Sequence, residues 1–139
     1  MRSVVFLDTN VLIYAAAGIS EDRRKYEIAR DIIAGEAICL SAQVLAEFYH
    51  NVTRKLAVPL PRSYVSGWLD RLEEYPIAPV DALLVRVGAF LSERFRISYW
   101  DAAIIAAAER LGAQTLYTED LNHGQTYGSV RVMNPFRED

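Results

Sequence analysis

Apolar residues fall into two kinds of run along this chain. Val4-Val5-Phe6-Leu7 and Ala37-Ile38-Cys39-Leu40 are short and continuous, as in strands covered on both faces. Thr115 to Tyr117 and Val130 to Met133 are two further strand candidates. Residues 77–80 are a weaker one, confined by Pro79 to a sheet edge. The longer stretches between them predict helices. Residues 10–17 form the first, ended by Gly18, and residues 20–34 the second, with Gly35 as its C-cap. Ser41 caps a third helix running to about Lys55, and Pro59 and Pro61 bracket the break that follows. Residues 62–74 carry Trp68 on a fourth. Asp81 caps a fifth, reaching about Phe95, and Ser98 caps an alanine-rich sixth that ends at Gly112.

Strands alternating with helices predict an α/β fold, a parallel sheet with helices on both faces. With strand 1 central, right-handed crossovers carry the chain outward through strands 2 and 3, then back to place strand 4 beside strand 1. Ligands in such sheets bind beyond the carboxyl ends of the strands, where the winding reverses. Asp8 follows strand 1 and Asp120 follows strand 4, so topology alone puts both at that crevice.

Composition sharpens this picture. The chain has 139 residues, 52% hydrophobic and 24% charged, which predicts one globular domain over residues 1–139. Cys39 is the only cysteine and reads as a buried thiol. The first apolar run is cut short at Asp8, unlike a signal peptide, and no stretch approaches the roughly 18 to 20 apolar residues of a membrane span. A cytoplasmic protein is expected. The net charge of −3 argues against broad, non-specific DNA binding. The basic points Arg23-Arg24-Lys25, Arg54-Lys55 and Arg94/Arg96 read as solvated helix faces.

Four acids stand in informative places, and each also has a plainer explanation. Asp8, with Thr9 and Asn10, suits a turn and helix cap. Glu47 shares a helical stripe with Gln43, Asn51 and Arg54, opposite the apolar Val44, Leu45, Phe48 and Val52, as a solvent-facing glutamate would. Asp101 opens a helix apolar almost all round, and its spacing from Ser98 fits a capping box. Asp120 follows Thr118-Glu119 in a loop. His123 lies in an Asn-His-Gly turn and reads as a loop residue. Carboxylates gathered in one cleft repel each other unless a cation joins them, and hard divalent cations prefer oxygen ligands.

Together these segments resemble the PIN-domain nucleases. The resemblance rests on Phe6-Leu7-Asp8-Thr9-Asn10-Val11-Leu12, Glu47 in its helix, Tyr99-Trp100-Asp101-Ala102, Thr118-Glu119-Asp120 and the closing stretch from Val130 to Phe136. It runs along nearly the whole chain, and small members of this kind resemble VapC-type toxins of toxin–antitoxin pairs. It implies a three-layer α/β/α sandwich with a mainly parallel central sheet. It also implies Mg²⁺ or Mn²⁺ dependence, one or two ions, cleavage of single-stranded RNA, a homodimer and inhibition by a cognate antitoxin. By motif, the catalytic and metal site falls on Asp8, Glu47, Asp101 and Asp120, with Glu119 as the rival for the last position. Thr9, Asn10 and Thr118 are the expected substrate-binding groups, with the Thr118 hydroxyl equally suited to the metal shell, a phosphate or a local turn.

Competing expectations stay open on the residues. Leu7-Asp8-Thr9-Asn10 partly resembles a haloacid-dehalogenase-type phosphatase, but Asn10 replaces its second acid. The late lysine of such enzymes, and of receiver domains, is missing, since the only lysines are Lys25 and Lys55. A PIN-like module that binds RNA or protein without cutting also fits the residues, as does a structure-specific DNA nuclease. Tyr26, Tyr49, Tyr64 and Trp68 mark an expected partner surface, unless those rings pack the core.

Overall fold

A computed structural model describes residues 4–138. Its elements run β1 (Val4–Leu7), α1 (Thr9–Glu21), α2 (Arg23–Gly35), β2 (Ala37–Ser41), α3 (Ala42–His50), a π-helical segment (Asn51–Lys55), α4 (Arg62–Leu72) and β3 (Ile77–Ala78). Then come α5 (Ala82–Phe95), α6 (Tyr99–Arg110), β4 (Thr115–Tyr117), β5 (Thr126–Tyr127) and β6 (Val130–Met133).

The sheet order is β3-β2-β1-β4-β6-β5, with β1 between β2 and β4 as the crossover rule requires. Phe6 is in register with Cys39 on one side and Leu116 on the other. Every pairing is parallel except β5 with β6. Strand β3 is an edge, as Pro79 demanded, because a residue without an N–H cannot sit inside a ladder. Helices flank the mixed sheet to give the three-layer α/β/α arrangement, with α1 packed on α2 and α3, and α5 on α6.

Phe6, Leu7, Cys39, Leu40, Leu116 and Val132 are buried along the strands, covered on both faces as their continuous apolar runs imply. Cys39 is fully buried, and desolvation pushes its thiol up to about 11. Every residue from Ala102 to Ala108 is buried. Gly88 allows α5 to approach this helix closely: a Cβ there would stand 3.3 Å from the Ala103 backbone and 3.1 Å from the Tyr99 ring.

Some boundaries differ from those the sequence predicts. Helix α1 continues through Gly18 to Glu21. That glycine answers a packing need rather than a stop: a Cβ on it would lie 2.9 Å from the Tyr26 Cβ, so its absence lets α1 and α2 touch. Asp22 then caps α2 by accepting from the Lys25 N–H. The third helix reaches Lys55, but its last turn is widened to π geometry, with Asn51 Nδ2 donating to the Glu47 carbonyl. Strand β5 has two residues and no hydrophobic alternation to announce it. Trp68 is core, packed on Phe48 at 6.1 Å between centroids, whereas Tyr49 and Tyr64 are open to solvent. Lys25 is no solvated-face cation either, being held by Glu119 and Tyr14.

Candidate active site

The carboxyl ends of β1 and β4 open into a cleft of about 220 Å³. Asp8, Glu47, Asp101 and Asp120 all line it, brought from four elements. Asp8 leaves β1 in extended conformation and caps α1, its Oδ1 accepting from the Thr9 N–H at 2.7 Å. The capping explanation is therefore correct but incomplete. Its other oxygen accepts from the Thr118 hydroxyl at 2.8 Å, and the residue is only 6% exposed. Burial pushes its carboxyl up to about 6, against the pull of the Thr118 and Thr9 hydrogen bonds, and the charges of Asp120 and Glu47 push the same way.

Thr118 is the hub of this wall. Its hydroxyl donates to Asp8 and accepts from Asn10 Nδ2 at 3.2 Å and from the Asp120 N–H at 3.1 Å. One donor and two acceptors exhaust a hydroxyl, and the side chain is fully buried. The local turn open to Thr118 is therefore formed, through the Asp120 N–H, and the same hydroxyl ties β4 to β1 and sets two carboxylates from behind. Asn10 uses its second amide hydrogen on Asp120 Oδ2 at 3.1 Å.

The opposite wall is helical. Glu47 turns toward the cleft together with Gln43 and Asn51, so the polar stripe faces the site rather than bulk water. Gln43 Nε2 donates to Glu47 Oε1 at 3.0 Å and to the Trp100 carbonyl at 3.2 Å, bridging α3 to the start of α6. Ser98 caps α6 by accepting from the Asp101 N–H, as the capping-box spacing predicts. The Asp101 carboxyl lies above its usual range, raised first by burial and also by Asp120, against the Ser98 hydroxyl.

The rivalry between Glu119 and Asp120 has a clear geometry. Glu119 points away, accepting from Tyr14 Oη at 2.7 Å and from Lys25 Nζ at 2.9 Å. Asp120 lines the cleft. His123 accepts from the Asn134 N–H through Nδ1 and braces its loop. Gln43, Asn51, Ile13 and Ile104 are cleft residues that no site motif named, and Trp100, though inside the Tyr99–Ala102 motif, has no role assigned by it. For Gln43 and Asn51 the signal was present in their four-residue spacing around Glu47.

The donors suit a hard divalent cation. They are carboxylate oxygens, and among the described residues no lysine, arginine or histidine lines the cleft to balance them. Two buried side-chain oxygens, Thr9 Oγ1 and Asn10 Oδ1, have no hydrogen-bond partner, an arrangement that water or a cation would relieve. Among the described residues, however, no three His, Cys, Asp or Glu groups stand close enough to enclose an ion. Mg²⁺ keeps several waters and takes few protein ligands, so the acids need not all bind one ion.

Comparison with known proteins agrees with this architecture. The PIN domain family model matches residues 5–128, and the chain belongs to that family. A search of curated proteins finds no match. Among solved structures, the chain is similar to VapC20 of Mycobacterium tuberculosis, described as a sarcin-ricin loop cleaving toxin. That likeness has 23% identity, covers 84% of this chain and 89% of that one, and has a TM-score of 0.67. It is also similar to a toxin–antitoxin complex from Klebsiella pneumoniae, at 16% identity over 96% and 99% of the two chains with a TM-score of 0.69. VapBC2 of Rickettsia felis, solved on a DNA fragment from its promoter, gives 20% identity over 94% and 98% with a TM-score of 0.64. At these identities the likeness establishes the fold. Family membership removes the phosphatase and receiver-domain readings.

Proposed function

We propose that this protein is a divalent-metal-dependent endoribonuclease of single-stranded RNA, the toxin of a toxin–antitoxin pair. One observation carries the nuclease reading. Four carboxylates and, among the described residues, no basic side chain converge on one cleft at the point where the sheet winding reverses. The toxin assignment is supported by neighbours that are toxins or toxin–antitoxin complexes. It brings with it a cognate antitoxin, a homodimer and a cytoplasmic setting. No helix among the described residues is long and apolar enough to cross a membrane.

Asp8, Asp101 and Asp120 would hold one or two ions of Mg²⁺ or Mn²⁺, with Glu47 binding directly or through water. Bound there, the metal supplies an acidified water and neutralises charge on the phosphodiester. The rest falls to the chain's own groups. Thr118 and Asn10 fix Asp8 and Asp120 before substrate arrives. Glu47, steadied by Gln43, orients the attacking water. Thr9 and Asn10 line the cleft beside Asp8 and are the polar groups assigned to the substrate side. No side-chain nucleophile is required, which accords with a fully buried Cys39.

The alternative reading is a PIN module that binds RNA or protein without cutting. One experiment separates the two. Purified protein is offered mixed single-stranded RNAs and DNAs with Mn²⁺, Mg²⁺ or EDTA, beside Asp8→Asn. Metal-dependent RNA cleavage lost in the variant is expected. Binding of RNA with no cleavage under any condition would favour the module.

A further inference from the structure

The cleft raises a problem of grip. Proteins ordinarily hold nucleic acid by neutralising phosphates with Lys and Arg, but among the described residues no such side chain lines this cleft, and the chain carries a net charge of −3. Beyond the phosphate at the metal, the strand needs another hold. Single strands offer a second handle, because every unpaired base has a face that stacks on an aromatic ring.

Trp100 answers that need. It immediately precedes Asp101, lines the same cleft and is 65% exposed, whereas Trp68 is 5% exposed. A large indole left that open has no role in the core. Its position is nevertheless fixed. The residue lies in the first turn of α6, its carbonyl accepts from Gln43, and its ring meets Tyr99 edge-on at 5.1 Å. Tyr99 is itself anchored, since its ring lies against Gly88 where α5 crosses α6. An exposed, rigidly mounted indole beside the acidic centre is the form of a stacking platform.

We propose that Trp100 is the base-stacking platform of this site, holding an unpaired RNA base next to the phosphodiester presented to the acids. The inference rests on the nuclease reading for its substrate class, and the two can fail separately.

The test measures binding by fluorescence anisotropy, in EDTA, of a labelled single-stranded RNA decamer and of the same ribose-phosphate strand without bases. Wild type, Trp100→Ala and Trp100→Phe are compared, with cleavage followed in Mn²⁺. Loss of one stacked base predicts that Trp100→Ala binds the RNA about five- to a hundredfold more weakly. Trp100→Phe is expected to recover most of that affinity. The base-free strand is expected to bind wild type and Trp100→Ala equally. Equal RNA affinity of wild type and Trp100→Ala would overturn the platform, and so would an equal loss on the base-free strand. Dissociation of an oligomer in Trp100→Ala, seen by sedimentation, would assign the indole to a protein interface instead. Equal affinities in a wild type that cuts would sink the platform alone. A Trp100-dependent grip in a wild type that never cuts would sink the nuclease alone.

Discussion

The two walls of the cleft are built differently. The wall at the ends of β1 and β4 is knit by side chains more than a hundred residues apart in sequence, with Thr118 bonded to Asp8 and Asn10, and Asn10 to Asp120. The helical wall carrying Glu47 and Asp101 relies on near neighbours, Gln43 for Glu47 and Ser98 for Asp101, with one bridge from Gln43 to Trp100. The first wall is pre-set by tertiary structure, and a buried network of that kind is expensive to leave partly satisfied. The second is set mainly by contacts local in sequence.

The largest effect is expected at the fixed wall's own acid. Asp8→Asn should lower cleavage by on the order of a hundredfold or more, since it removes a charge aimed at the reacting centre. It should also change how the metal-free fold responds to pH. In the folded chain the Asp8 carboxyl titrates at about 6, against an ordinary 3.8. The protonated form therefore favours folding. Below about pH 4 burial of Asp8 carries no penalty, and as pH rises through 6 about 3 kcal/mol of stability is lost. Denaturant unfolding of wild type in EDTA between pH 4 and 7 should register this fall, and Asp8→Asn should flatten it.

Thr118→Val comes next. It keeps the shape but strips a buried acceptor and two donors of their partner. About 1–3 kcal/mol of stability and about ten- to a hundredfold in cleavage should be lost, with Thr118→Ser restoring both. An unaltered melting temperature in Thr118→Val would show that the wall is not held as described.

On the helical wall the outcome should reverse. Asp101→Asn should leave the metal-free melting temperature unchanged or slightly raised, because the variant relieves a carboxyl disfavoured by burial and by Asp120. Metal-dependent cleavage should fall. The smallest effect belongs to Glu119→Gln. Its carboxylate serves Lys25 and Tyr14 away from the cleft, so stability should change by no more than about 1 kcal/mol and metal affinity by little. A loss of metal binding as large as that of Asp120→Asn would reverse the assignment of these neighbouring acids.

Sequence alone reached the strand order and the acids at the strand ends, because continuous apolar runs and right-handed crossovers leave few topologies open. It stopped at features set by contacts distant in sequence. Gly18 reads locally as a helix stop, yet its reason is Tyr26 on the next helix. Thr118 reads as a hydroxyl for a ligand or a turn, and only folding shows that it is saturated. Trp100 stands in the Tyr99–Ala102 motif, but its exposure is decided by packing. The pair β5 and β6 was half visible, as two residues are too few for a period.

The central claim is that both walls converge on one cation site. Calorimetric titration of Mn²⁺ into wild type, Asp8→Asn and Asp101→Asn, all confirmed folded by circular dichroism, tests it most directly. Binding by wild type that weakens at least about tenfold in either variant is the predicted result. Undiminished Mn²⁺ affinity in both variants, or no binding by wild type, would contradict it.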